Sequence, residues 1–144
     1  MRKIAILTLS ALLLTSCLPR YDFNQATGFM AVNGLGSQKT ESNHNSTNLK
    51  TYAKYANEVY KISKESDLVY TENSKVQYDA DFLIHFSFIK FGKERIVTLY
   101  FLPEDEMIYI LDKANEKYRE SVDENQNYYL KFTEIHNEYL KTLE

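Results

Sequence analysis

The sequence predicts an α+β fold: an antiparallel β-meander of about three strands, packed on one face by an N-terminal helix and a long or broken C-terminal helix. Three observations lead there. In "VQYDADFLIHFSFIKF" (76–91) the even positions Val76, Tyr78, Ala80, Phe82, Ile84, Phe86 and Phe88 are apolar, while Gln77, Asp79, Asp81, His85 and Ser87 interrupt the odd ones. That is the period-two pattern of a strand with one buried face. Ahead of it, in "LKTYAKYANEVYKISKES", Leu49, Tyr52, Ala53, Ala56, Val59 and Tyr60 recur at helical spacing. Behind it, the run from Asp112 to Glu144 contains neither Pro nor Gly.

Each element has its own signal. Asn48 is a good N-cap for the first helix, whose other face carries Lys50, Lys54, Asn57, Lys61 and Lys64. After the long strand, Gly92-Lys93 offers a two-residue II′ turn with Gly first. That turn pairs Phe88 with Val97, Phe86 with Leu99 and Ile84 with Phe101 on one face. On the other face it pairs Ser87 with Thr98 and His85 with Tyr100, so apolar meets apolar and polar meets polar. The connection "PEDE" (103–106) leads into a strand over 107–111, with Phe101 opposite Ile108, Leu99 opposite Ile110 and Tyr100 facing Tyr109. A helix beginning at Pro103, with Glu104, Asp105 and Glu106 at its positive end, competes for this stretch. The β-branched and aromatic "MIYIL" favours the strand. In the last segment Tyr118, Val122, Tyr129, Phe132, His136, Tyr139 and Leu143 follow spacings near 3.5, with the polar Asn125 completing the pattern. "SVDENQN" is weak enough to break the helix near Asp123. His136 falls in the apolar stripe, which fits a packed histidine better than a general base.

At the amino end, Arg2 and Lys3 precede a run from Ile4 to Leu14 in which only Thr8 and Ser10 are polar. This is a charged n-region and an apolar h-region of signal-peptide length, too short to span a bilayer as a helix. The run ends in Leu14-Thr15-Ser16-Cys17, which holds the sole cysteine of the 144 residues. The tetrad resembles the lipobox of bacterial lipoproteins. The resemblance implies a diacylglyceryl group on the Cys17 sulfur, cleavage before Cys17 and acylation, palmitate being a typical chain, of the new amino terminus. The lipid bilayer is thereby a partner, because several acyl chains on one residue make a lasting anchor. Leu18 follows the cysteine where Asp favours inner-membrane retention in enteric-type bacteria. By resemblance to that sorting pattern the anchor belongs in the outer membrane, with the domain facing the periplasm or the cell surface.

The expected organisation is a signal peptide over 1–16, a lipidated N-terminus and flexible tether over 17–47, and one small domain over 48–144. The tether reading rests on "NGLGSQKTESNHNSTN", whose Gly, Ser, Thr and Asn cannot bury enough surface to offset the entropy of ordering. His44 lies there, solvated. Just before it, "TGFMAV" has the composition of a short strand added to a sheet edge.

Loss of Arg2 and Lys3 with the signal takes the net charge from −3 to −5. That balance argues against nucleic acid and anionic headgroups as partners. With Cys17 acylated no thiol remains for disulfides, nucleophilic catalysis or metal ligation. Gly-rich phosphate loops, G-x-S-x-G, H-E-x-x-H and paired C-x-x-C motifs are absent, and no cofactor is expected. Twelve Tyr and eight Phe without Trp supply the packing, and tyrosine also suits surfaces that bind. The candidate site is the outer face of the meander, where Asp81, His85, Tyr100 and Tyr109 form an expected partner-binding surface beside Asp79, Ser87 and Thr98. The function expected is that of a non-enzymatic cell-envelope lipoprotein binding another macromolecule, an envelope protein or an incoming toxin. One alternative is a periplasmic immunity protein or inhibitor of a toxin or hydrolase. Another is an enzyme or metal-binding protein using Asp79, Asp81 and His85.

Overall fold

The computed structural model describes residues 21–33, 47–69, 76, 79–114, 116–120 and 127–141. They form β1 (Gly28–Asn33), α1 (Thr47–Ile62), β2 (Lys64–Val69), β3 (Phe82–Lys90), β4 (Lys93–Leu102), β5 (Met107–Asp112), β6 (Lys117–Glu120) and α2 (Tyr128–Lys141). A 3₁₀ turn over Phe23–Gln25 precedes β1. The strands make one antiparallel sheet in the order β1-β3-β4-β5-β6-β2. The fold is α+β, but the expected meander of about three strands is corrected to a sheet of six. Cys17, His44, Gln77, Tyr78, Val122, Asn125 and Leu143 lie outside the described residues.

The three additional strands are the edges, β1, which is the edge strand expected at "TGFMAV", and β2, and the four-residue β6. The expected first helix runs into β2, yet it ends at Ile62, where the Ser63 N–H closes the last turn on the Val59 carbonyl at 2.9 Å. "KESDLV" then lines the edge beside β6 with a shift in register between Glu65 and Val69. Charge and irregular pairing guard an exposed edge against association, and they also erase the alternation that reveals a strand. In β6 only Tyr118 is buried. The long or broken C-terminal helix is corrected accordingly to the 14-residue α2.

The β3–β4 register is also corrected. The turn is Phe91-Gly92, with φ 53° and 71°, and Lys90 pairs with Lys93. Positive φ at both central residues makes a type I′ turn, whose twist suits the flanking strands. Phe86 therefore pairs with Val97, Ile84 with Leu99 and His85 with Thr98. The slip is two residues, so every side chain keeps its face while its partner changes. The observed register brings Phe82 opposite Phe101, their rings stacked at 4.1 Å and 8°. The expected one would have set Phe82 against Pro103, beyond the end of β4. The β4–β5 register is as expected, with Phe101 on Ile108, Leu99 on Ile110 and Tyr100 on Tyr109.

Both helices cover the inner face. Phe29 and Ala31 of β1, Phe82, Ile84, Phe86 and Phe88 of β3, Val97, Leu99 and Phe101 of β4, and Ile108 and Ile110 of β5 meet Tyr52, Ala53, Ala56 and Val59 of α1 and Tyr129, Phe132 and Tyr139 of α2. The core is built of rings: Phe23 on Phe86 at 4.9 Å, Phe101 on Phe132 at 5.0 Å, Phe29 on Tyr52 at 5.6 Å. Such offset and edge-on pairs add to the burial itself.

Of the tether expected over 17–47, residues 21–33 are part of this core, which corrects the domain boundary at 48, while residues 17–20 and 34–46 lie outside the described residues. Tyr21, Phe23, Phe29 and Ala31 are buried. Asn57 of α1 holds the segment down, its Oδ1 accepting from the Phe23 N–H at 2.9 Å and its Nδ2 donating to Asp22 at 3.1 Å. The Tyr21 hydroxyl donates to Asp112 Oδ2 at 2.7 Å. The folded domain thus begins no later than Tyr21.

Candidate functional site: a pocket on the outer face

The outer face is divided. Over the β4–β5 turn end and across β5 and β6 a second core covers it, formed by Val76, Ala80, Tyr100, Leu102, Leu111 and Tyr118, with Leu83 and Tyr109 packed against them. Tyr100 is only 3% exposed, so the open, tyrosine-centred surface expected at Tyr100 and Tyr109 is corrected: the pair is adjacent but belongs to packing.

Toward the β3–β4 hairpin the outer face is open. There Gly28 and Met30 of β1, His85 and Ser87 of β3, Ile96 of β4 and Lys113 border a pocket of about 280 Å³. The register explains the grouping, since Gly28 lies opposite Ser87, Met30 opposite His85, and Ser87 opposite Ile96. Gly28, lacking a side chain, lines it with backbone alone. Met30 and Ile96 supply apolar walls, and Met adapts readily to irregular contacts.

His85 is the polar centre of this pocket. Its Nδ1 lies 2.6 Å from Thr98 Oγ1, a pair that works with either tautomer. Burial, helped by the Lys113 charge, lowers its pKa to about 4. It is therefore neutral at ordinary pH, able to donate and accept hydrogen bonds but a weak base for proton abstraction. Ser87 sits two residues along the strand, about 7 Å away by strand geometry.

Asp79 and Asp81 do not join it. Both are exposed and precede β3. The Asp81 backbone N–H donates to the Phe101 carbonyl at 2.8 Å, and its charge acts on Tyr129 and His136 of α2, away from His85. Among the described residues no three His, Cys, Asp or Glu side chains converge as metal ligands. The expected set Asp81, His85, Tyr100 and Tyr109 is thus split three ways, between the sheet end, the pocket and the second core.

Met30, Ile96 and Lys113 were not foreseen as site residues. Ile96 carries a signal, because "RIVTLY" places an isoleucine on the outward row otherwise held by Thr98 and Tyr100. No protein-family model, curated protein or solved structure matches the chain. Among the described residues no helix is long and apolar enough to cross a membrane.

Proposed function

We propose that this chain is a bacterial cell-envelope lipoprotein, held in the membrane by acylated Cys17, whose domain binds a macromolecular partner and carries out no reaction of its own. The observation that carries the reading is "LTSC" at the end of a charged and then apolar leader, with the one thiol at the position acylation requires. The outer-face pocket supports the binding role: a neutral imidazole between Met30 and Ile96, rimmed by Lys113, suits an apolar side chain with an acceptor or carboxylate beside it.

Three measurements test it. Cys17→Ser should accumulate as an unprocessed precursor and take up no labelled fatty acid, and labelling at the wild-type level would refute the anchor. A photo-crosslinking residue at Ser87 should give a discrete protein adduct in cells that the same residue at Glu134, exposed on α2, does not. Identical adducts from both positions would refute the pocket. Fractionation should recover the protein with the outer membrane where two membranes exist.

A further inference from the structure

The β3–β4 hairpin presents a combination that the fold itself does not require. Phe91 occupies a left-handed position, φ 53°, where a type I′ turn favours Asn, Asp or Gly and a bulky residue is strained. Its ring is 89% exposed, and Ile89 beside it is 59% exposed. An aromatic residue that is strained and has its ring in water gains nothing from its own domain. Lys90 and Lys93 pair with each other directly behind the tip.

The start of the folded domain lies under the same hairpin. Tyr21 packs on Phe88 with ring centroids 4.9 Å apart. Only Leu18, Pro19 and Arg20 separate it from Cys17, and a fully extended chain spans at most about 3.6 Å per residue, so Tyr21 lies within roughly 14 Å of the acylated residue. With no long tether, the bilayer is held against this end of the domain. A cleft of about 510 Å³ beside Tyr21 adds Lys61 and Arg119 on its walls, next to Asn57 and Tyr60. Charge follows the same axis. The hairpin end carries Lys90, Lys93, Arg95, Lys113 and Lys117 against Asp22, Glu94, Asp112 and Glu116, while the opposite end gathers Asp79, Asp81, Glu104, Asp105 and Glu106. The overall negative charge that argued against anionic headgroups is therefore an average over two unlike ends.

We infer that the β3–β4 hairpin tip is a membrane-contact site, with Ile89 and Phe91 entering the interface of the bilayer that anchors Cys17 and Lys90 and Lys93 lying on its anionic headgroups. Aromatic and aliphatic side chains flanked by lysine are the composition of interfacial anchors. The inference rests on the lipoprotein reading and adds an orientation to it: the acidic end points away from the membrane.

The chain contains no Trp, so Phe91→Trp, and separately Ile89→Trp, give single reporters in the mature full chain. Each is reconstituted in vesicles of phosphatidylethanolamine and phosphatidylglycerol, with Asp105→Trp reporting on the far end. Mass spectrometry reads the acyl chains on Cys17 in the same samples. The expected result is blue-shifted emission from both hairpin reporters, quenched by brominated acyl chains and weakened when phosphatidylglycerol is replaced by phosphatidylcholine. Asp105→Trp should emit as in water and stay unquenched. Acylated protein whose hairpin reporters emit as in water would overturn the contact and leave the anchor standing, whereas absence of acyl mass would overturn both. A blue shift that brominated chains do not quench and that grows with protein concentration would assign the tip to a second copy of the chain, also overturning the contact.

Discussion

His136 lies flat on Phe82, ring centroids 4.3 Å apart and planes 5° from parallel, with Tyr52 Oη 3.3 Å from its Nδ1. Burial lowers its pKa to about 4, against the opposing field of Asp81, and burial with the Lys113 charge brings His85 to about 4 as well. In the unfolded chain both titrate near 6.5. As pH falls from 6.5 toward 4 the unfolded state takes up protons that the folded state refuses, so stability declines across that window and levels off below it. The slope is at most about 1.4 kcal/mol per pH unit for each histidine, and less for the partly exposed His85. Urea midpoints between pH 7 and 4.5 should fall, and His136→Phe should flatten the fall. A midpoint constant over that range would contradict the buried, neutral state of both rings.

Phe86 and Ser87 are neighbours on opposite faces. Phe86 is fully buried against Phe23, so Phe86→Ala should cost roughly 3–5 kcal/mol. Ser87 lines an open pocket, and Ser87→Ala should cost less than about 1 kcal/mol. Denaturant titration of the two variants reads the difference, and equal losses would mean that the pocket is filled by protein.

Tyr100 belongs to the second core. Tyr100→Ser should destabilise on the scale of a large core truncation, roughly 3–5 kcal/mol, with Tyr109→Ser costing clearly less because its ring sits at the margin of that cluster. Thermal melts of both variants check the order. A harmless Tyr100→Ser would return that ring to the surface.

Phe91→Asn should stabilise the domain. Asn tolerates the left-handed conformation at position 91 and loses no packing there, since the ring is exposed. The gain should be about 1 kcal/mol, seen as a rise of a few degrees in melting temperature. A lowered melting temperature would show that the ring packs within its own domain.

The parts of the fold that could be read from the sequence are those in which burial is one-sided and regular. Phe82, Ile84, Phe86 and Phe88 announce β3, and the apolar rows of β4 and β5 fix each other's register because any odd slip would turn them to the wrong face. A slip of two leaves all rows intact, so the pattern could not choose between Gly92-Lys93 and Phe91-Gly92 as the turn; the stacking of Phe82 on Phe101 depends on that choice and is not written in the periodicity. β2 and β6 escaped notice because an edge strand and a four-residue strand need little alternation, and their charges suit a helix equally well. The site was legible in part. His85 and its outward row follow from strand parity, but Tyr100 looked exposed because the cover over it comes from Val76 and Ala80 just ahead of β3 and from Tyr118 in the unforeseen β6.

Chain order and pairing order run against each other in this sheet. β1 and β2, made first, are its two edges, and each must wait for a partner made later: β1 for β3, and β2 for β6, where the Ser66 hydroxyl bonds the Tyr118 carbonyl 52 residues downstream. Closing so long a loop carries an entropic cost that local turns avoid. A ribosome therefore releases roughly the first half of this chain with no strand partner in hand, and native pairing can begin only once β3 has emerged. In the export proposed for this chain, N-terminus first, that delay leaves the leading half without sheet pairing while it crosses.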